Sequence, residues 1–267
     1  MNKLLRCPVC QGELKGLEKE YVCDGGHRFD RARQGYVNLL QSQRSSARNH
    51  GDDREMIAAR RDFLELGLYG PLRDLLDEKV YFYTEKNGVI IDAGCGEGWY
   101  TEPLCKDFSV VGFDISKEAL KWAAKRKNFT HLAVASCYNL PLFDGSADGA
   151  INFFSPLADE EYARVLKQGG KLFRAVPGEH HLWQLKQAIY DTALPNRPER
   201  EDLAGLHLLE RCPLQFEIDL QTQEQIQTLF QMTPYYYRTS FKDREKIKKY
   251  QALSTQVEFT LLIYEKK

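Results

Sequence analysis

Val89-Ile-Ile-Asp-Ala-Gly-Cys-Gly-Glu-Gly98 decides the fold. Its first residues are a short apolar run of the kind that forms a buried strand. Gly94, Gly96 and Gly98 follow at once, and glycines let a backbone turn tightly and approach a ligand closely. A glycine turn between strand and helix is a phosphate- or nucleoside-binding device shared by several cofactor classes, so by itself it fixes an architecture and not a ligand.

Outward from this loop the sequence alternates. Strands are expected at Val89–Ala93, Ser109–Phe113, His131–Ala135, Gly149–Phe154 and Lys171–Val176, with helices between them at Lys117–Arg126 and Asp159–Leu166. Such alternation predicts an α/β domain with a mostly parallel, doubly wound sheet. Upstream, Met56, Ala59, Phe63 and Leu64 recur at helical spacing, and Asp52 with Glu55 has the form of a capping box. Downstream, Thr222 and Gln225 cap a helix that stops before Pro234, and a last strand is expected at Val257–Tyr264. The reading divides the chain into residues 1–40, a polar linker at 41–51 and one large domain at 52–267.

The 267 residues are 43% hydrophobic and 28% charged, an ordinary globular composition. No apolar run reaches the roughly 20 residues that span a bilayer. Met1 to Arg6 hold no long apolar segment, so a cytoplasmic, reducing location is expected, where seven cysteines serve as thiols or metal ligands. Net charge is −1, but residues 1–50 hold nine Lys/Arg against five Asp/Glu. That local excess, with Arg28, Arg31, Arg33, Arg44 and Arg48, is the expected electrostatic hold on an anionic partner.

Cys7-Pro-Val-Cys10 is followed after twelve residues by Cys23, and His27 closes the set. A C-x-x-C knuckle places two thiolates on one side of a metal, and a second pair across a short hairpin completes a tetrahedron. Four protein ligands leave no open position, so the expected role is structural zinc. A segment of about 40 residues buries too little apolar surface to fold without such a staple. A redox C-x-x-C would leave Cys23 and His27 unexplained. Cys95, Cys105, Cys137 and Cys212 are isolated and read as small hydrophobes.

Asp92 precedes the glycines, and the spacing G-x-G-x-G differs from the dinucleotide pattern G-x-G-x-x-G. Together with Leu140-Pro-Leu-Phe-Asp144…Asp148 and Val165-Leu-Lys-Gln-Gly-Gly-Lys-Leu172, this resembles the class I (Rossmann-like) methyltransferases, which implies S-adenosylmethionine as cofactor. Asp114 closes the next strand, where a carboxylate can accept hydrogen bonds from both ribose hydroxyls. Many members of that superfamily place an acidic residue after the third strand for the adenine amino group. Here the stretch is Ala135-Ser136-Cys137, which leaves Ser136 and backbone groups for that contact. Asp92 can serve the ligand or only brace the glycine loop. Trp99 can flank the methionine part or pack as an ordinary helix residue.

With His27-Arg-Phe-Asp30, Gly35-Tyr-Val-Asn-Leu-Leu40 and Gly51-Asp-Asp-Arg-Glu-Met56, the chain closely resembles the bacterial 23S ribosomal RNA guanine-N1 methyltransferases, which include the tylosin-resistance type. The resemblance runs over nearly the whole chain. It is firmest over residues 7–70 and 89–182 and weakest over 195–250. It implies Cys7, Cys10, Cys23 and His27 as zinc ligands. It implies a cofactor site lined by Tyr69, by the loop Gly94, Cys95, Gly96, Glu97, Gly98 and Trp99, and by Asp114 and His181. It further implies N1 methylation of a guanine in a stem-loop of 23S ribosomal RNA, and a homodimer enclosing the RNA.

Asn152-Phe-Phe-Ser155 follows the fourth strand, where related enzymes hold the target base. Phe153 or Phe154 can stack on a base and Asn152 or Ser155 can hydrogen-bond its edge, or all four can simply pack a strand end. Two other functions fit the same sequence: a small-molecule methyltransferase with a stabilising zinc module, and a non-catalytic RNA-binding or assembly protein that keeps a cofactor fold.

Overall fold

The computed structural model describes residues 3–41 and 54–267. Near the N-terminus, β1 (Leu14–Gly16), β2 (Glu20–Cys23) and β3 (Arg28–Asp30) form a small antiparallel sheet. The period of two along β2 buries Tyr21 and Cys23 on one face. The next strand, β4 (Val37–Asn38), leaves this sheet for the edge of the main one.

The main body contains α1 (Arg54–Glu65), α2 (Gly70–Tyr83), β5 (Val89–Ala93), β6 (Ser109–Asp114), α3 (Lys117–Arg126), β7 (His131–Val134), β8 (Ala147–Phe153), α4 (Asp159–Val165) and β9 (Leu166–Pro177). It continues through α5 (Trp183–Ile189), β10 (Leu206–Leu220), α6 (Gln223–Met232), α7 (Pro234–Arg238), α8 (Phe241–Lys246) and β11 (Leu253–Lys266). The eight-stranded sheet has the order β10-β11-β9-β8-β5-β6-β7-β4. All pairs from β4 to β9 are parallel, and β11 is antiparallel to both β9 and β10. Strand order therefore reverses at β5 and β8. In open α/β sheets the ligand crevice lies at the carboxyl ends of the strands flanking that reversal.

The central strands are largely apolar because both faces are covered: every residue of β5 after Val89 is buried, as are most of β8. The α1 residues read as its inner face, Met56, Ala59, Phe63 and Leu64, are all buried. Thr222 caps α6 by accepting from Gln225 N at 3.2 Å, and the Gln225 side chain accepts from Gln221 N. The expected Asp52 cap, most of the linker, and Arg44 and Arg48 lie outside the described residues.

Several ends differ from expectation. β8 stops at Phe153, because Phe154 turns into the left-handed region with φ 56°. The strand expected at Lys171–Val176 extends back to Leu166, taking the residue on which α4 was expected to end. β10 was not expected. Pro213 sits in it and argues against a strand, but β10 is the outer strand, the place in a sheet where proline is tolerated.

Zinc-module and main-body side chains share one core. Leu5, Cys7, Leu14, Tyr21, Val37 and Leu39 belong to the same buried cluster as Ile91, Val111, Phe113 and Leu140. Backbone bonds reinforce the join: Arg6 N donates to Pro141 O at 2.8 Å, and Val37 and Asn38 pair with Ala133 and Val134. No helix among the described residues is long and apolar enough to cross a membrane.

Candidate active site and metal centre

Cys7, Cys10, Cys23 and His27 converge so that their ligand atoms all lie within 4.8 Å of one another. Cys10 Sγ and Cys23 Sγ are 3.6 Å apart, and Cys23 Sγ is 3.3 Å from His27 Nδ1. Zinc bond lengths of about 2.0–2.3 Å place tetrahedral ligand atoms at roughly these separations. The set fits zinc in a second respect: a Cβ added at Gly25 would lie 3.2 Å from Cys10 Sγ and 3.5 Å from His27 Nδ1, filling the space between them. Burial opposes ionisation of Cys23, but the His27 contact and the hydrogen bonds around it prevail and bring the thiol down to about 6, toward the thiolate a metal requires.

At the carboxyl ends of the parallel strands two cavities lie side by side. The first, of about 470 Å³, is lined by Gly94, Gly96, Glu97, Asp114 and Ser136, with Ser155 on its far wall. Asp114 is pinned by the loop it faces: Gly96 N donates to Oδ2 at 2.8 Å and Ser116 N to Oδ1 at 2.7 Å. Each carboxylate oxygen has two acceptor sites, the property by which such a group takes hydroxyl donors. A Cβ at Gly96 would meet nothing within 4 Å, so the loop presents bare backbone to open space. Glu97 Oε1 is buried with no hydrogen-bond donor, and burial raises the carboxyl to about 7 against the pull of Arg126.

Other loop residues face inward. Asp92 is buried, raised to about 7 by burial, and accepts from Thr101 Oγ1 at 2.8 Å, so it braces the segment after the loop. Cys95 is buried against α3, a Cβ at Gly98 would lie 2.5 Å from Phe129, and Trp99 packs in the core with Arg73 over its ring at 4.1 Å. None of these four lines either cavity.

The second cavity, of about 440 Å³, gathers Tyr69, Asn152, Phe154, Ser155 and His181 from three separate stretches of the chain. The Asn152 amide nitrogen is turned inward: Nδ2 donates to Ser155 Oγ at 2.7 Å and lies 3.1 Å from Tyr162 Oη. Ser155 Oγ in turn donates to Ala93 O at 2.6 Å. Phe153 is buried against Tyr100, whereas Phe154 is 49% exposed. Tyr69 Oη is buried without a hydrogen-bond partner, its ring edge-on to Phe63 and Phe259. His181 Nδ1 accepts from Glu258 N at 3.3 Å, and burial holds the imidazole down at about 3, so it is neutral with its proton on Nε2.

Arg60, Phe154 and Ser155 line both cavities. Sequence reasoning missed Arg174 and Glu199, which form a 2.8 Å ion pair in the second wall, and also Tyr235 and Phe259. The signal for Arg174 was present: a charged residue inside the apolar strand Leu172-Phe-Arg-Ala-Val176.

Comparison with known proteins bears on both regions. The family described as "RlmA, N-terminal", a zinc ribbon, matches residues 5–48, and the family described as "Methyltransferase domain" matches residues 91–174. The 23S rRNA (guanine(748)-N(1))-methyltransferase of Streptomyces fradiae is 35% identical over 193 residues, covering 70% of this chain and 68% of its own. The chain belongs to the 23S rRNA (guanine-N1)-methyltransferase family. A Bacillus subtilis relative, provisionally named for the same class of reaction, is 33% identical over 207 residues, 73% of this chain and 71% of its own. By contrast, a Hahella chejuensis malonyl-[acyl-carrier protein] O-methyltransferase matches over 37% of this chain and 40% of its own.

For this methyltransferase, Asp114→Ala is expected to weaken S-adenosylmethionine binding by about 1.5–3 kcal/mol, the range for hydrogen bonds to a charged group. Calorimetry giving wild-type affinity would move the ribose elsewhere. A second expectation concerns acid. His181 is neutral when folded and has an ordinary value of 6.5 when exposed, so unfolding takes up a proton below that value. Its contribution is full above pH 6.5 and is lost as pH falls toward 3, by up to about 5 kcal/mol. Denaturant titrations of His181→Phe should therefore show a shallower loss of stability across that window than wild type.

The positive N-terminal end is less available than its sequence implies. Arg28 is paired with Glu20 at 2.7 Å. Arg31 lies over the Tyr21 ring and donates to Tyr21 Oη, which meets the His131 ring at 2.9 Å. Arg31 thus braces the tyrosine that joins the zinc module to the main body, and its reversal to Glu would disturb that join along with any RNA contact. Arg33 is exposed.

Proposed function

We propose that this protein transfers the methyl group of S-adenosylmethionine to N1 of a guanine in 23S ribosomal RNA. The supporting observation is the junction of the two cavities at Phe154 and Ser155, one offering a nucleoside-binding carboxylate and bare glycine backbone, the other an aromatic, partly cationic wall. Asp114, Gly94, Gly96, Glu97 and Ser136 would hold the cofactor, which supplies a sulfonium-activated methyl group.

The protein's own work is alignment and exclusion of water. Phe154, held out by its left-handed backbone, offers a ring face to a base entering the second cavity. Tyr69 Oη is an unsatisfied donor in that cavity, and neutral His181 carries its proton on Nε2. Both suit a carbonyl edge such as that of guanine. His181 is too weakly basic to take the imino proton; the carboxylate lining the cavity is Glu199, held by Arg174.

The test is tritiated methyl transfer to ribosomal RNA from a strain lacking the gene, followed by primer extension. N1 methylation blocks base pairing, so reverse transcription should stop at a single guanine. Transfer only to small molecules, or RNA labelling without a stop, would defeat the reading. The resemblance also carries a homodimer, which sedimentation equilibrium of the purified chain tests.

A further inference from the structure

Residues 234–250, Pro-Tyr-Tyr-Tyr-Arg-Thr-Ser-Phe-Lys-Asp-Arg-Glu-Lys-Ile-Lys-Lys-Tyr, hold six Lys/Arg and two Asp/Glu. They belong to a chain of net charge −1, so positive charge is concentrated here as well as at the N-terminus. The segment folds as α7, a turn, and α8. Phe241 is 80% exposed, and Tyr237 and Tyr250 are also exposed. Arg238, Lys242 and Lys249 are exposed too, and no ion pair holds any of the three among the described residues. The remaining cations are engaged: Lys246 with Asp191, Lys248 with Glu245, and Arg244 over the Tyr236 ring at 4.2 Å.

The placement matters as much as the composition. Thr233, Pro234 and Tyr235, where α7 begins, are part of the wall of the second cavity. The segment that carries the exposed rings and unpaired cations therefore starts at the wall of the proposed target-base site. Interleaved aromatic faces and cations are the equipment for unpaired nucleic acid: rings stack on bases while cations meet phosphates. A membrane would ask for a continuous apolar face. Here the apolar residue of the second turn, Ile247, is buried in the core, and the exposed rings are separated by charges.

We propose that residues 234–250 are a docking surface for the single-stranded RNA flanking the target guanine. Phe241, Tyr237 and Tyr250 stack neighbouring bases, and Arg238, Lys242 and Lys249 neutralise their phosphates. The inference rests on the RNA-methylating function proposed above, and it places an RNA surface on the catalytic domain.

The test uses the full-length protein and unmethylated transcripts of 23S ribosomal RNA fragments, with binding measured over a salt series. Replacing Arg238, Lys242 and Lys249 together by Gln should weaken binding about 10- to 100-fold. It should also reduce the slope of log affinity against log salt by about 2–3, given roughly 0.7–0.9 per phosphate contact. Phe241→Ala should weaken binding about 10-fold and leave the slope unchanged, since stacking releases no counterions. Zinc content, thermal midpoint and S-adenosylmethionine affinity should match wild type in both, because none of these side chains lines the cofactor cavity. If both variants bind RNA as wild type does and wild type methylates it, the surface is elsewhere and the proposed function stands. If wild type neither binds nor methylates the RNA, both fall. Retention of the protein on anionic lipid vesicles, lost in the variants while RNA binding is unchanged, would reassign the patch to membranes.

Discussion

Stripping zinc from this protein is expected to loosen the edge of the methyltransferase sheet as well as residues 3–41. The sequence alone divides the first 40 residues from the rest as a module of their own. The packing argues for a larger reach. Leu5, Tyr21, Val37 and Leu39 fill the same core as Val111 and Phe113, and β4 is the outermost strand of the main sheet. Structural zinc contributes on the order of 10 kcal/mol to such a module. Without it, those side chains lose their fixed positions and β7 becomes an uncovered edge. The consequence extends to the cofactor. A cavity of about 290 Å³ between the knuckle and the sheet is lined by Pro8 and Gln11 on one side and by Ser136 and Tyr138 on the other, and the last two also line the cofactor cavity. Cys10→Ser, or chelation of wild type, should remove about one zinc per chain and lower the melting temperature by roughly 10 °C or more, at 2–4 °C per kcal/mol. Amide exchange should rise in residues 131–142 and stay low in β5 and β8, and S-adenosylmethionine affinity should fall several-fold. Metal-free protein with native protection over 131–142 would show that the module is independent after all.

The parts of this protein that sequence revealed are those whose physics is local. The Cys7-x-x-Cys10 knuckle, the strand-glycine-helix run at 89–98 and the Thr222–Gln225 cap each need only a few neighbouring residues, and each appears where its pattern placed it. The parts it concealed are made by distant segments. The two-residue pairing of β4 with β7 joins positions almost a hundred residues apart and carries no periodicity of its own. β10 was obscured by Pro213, which only an edge position makes acceptable. The second cavity needs α1, the loop after β8, the end of β9, residue 199 and the start of α7 at once. Asn152 reads as a base-contacting amide from its place near a strand end, and the sequence does not show that its Nδ2 is already turned to Ser155 and Tyr162. Polar residue type announces that a hydrogen bond is made; it does not say with whom.

Gly94→Ala is expected to be among the most damaging single substitutions outside the metal site, and to harm both halves of the reaction. Gly94 sits at φ 94°, a conformation costing about 1–2 kcal/mol for a residue with a side chain. A Cβ there would also lie 2.3 Å from the Ser155 Cβ, far inside contact distance. The Ser155 loop must therefore retreat, which breaks the 2.6 Å bond from Ser155 Oγ to Ala93 O and frees Phe154 from the turn that holds it out. Overpacking of this kind adds about 1–3 kcal/mol. The glycine loop, whose next amides are tied to Phe113 O and to Asp114, would shift with it. Misplacement by about 1 Å can cost 100-fold in a reaction that depends on alignment, so kcat/KM for RNA should fall by at least that factor while cofactor affinity also drops. Asp114→Ala, by contrast, should leave the RNA step intact at saturating cofactor. The two contributions at Gly94 separate in a double-mutant cycle. Ser155→Gly removes the obstructing Cβ, so Gly94→Ala/Ser155→Gly should regain the overpacking part of the stability loss and keep the backbone part. If the double variant is no more stable than Gly94→Ala, the collision with Ser155 is not what makes this glycine necessary.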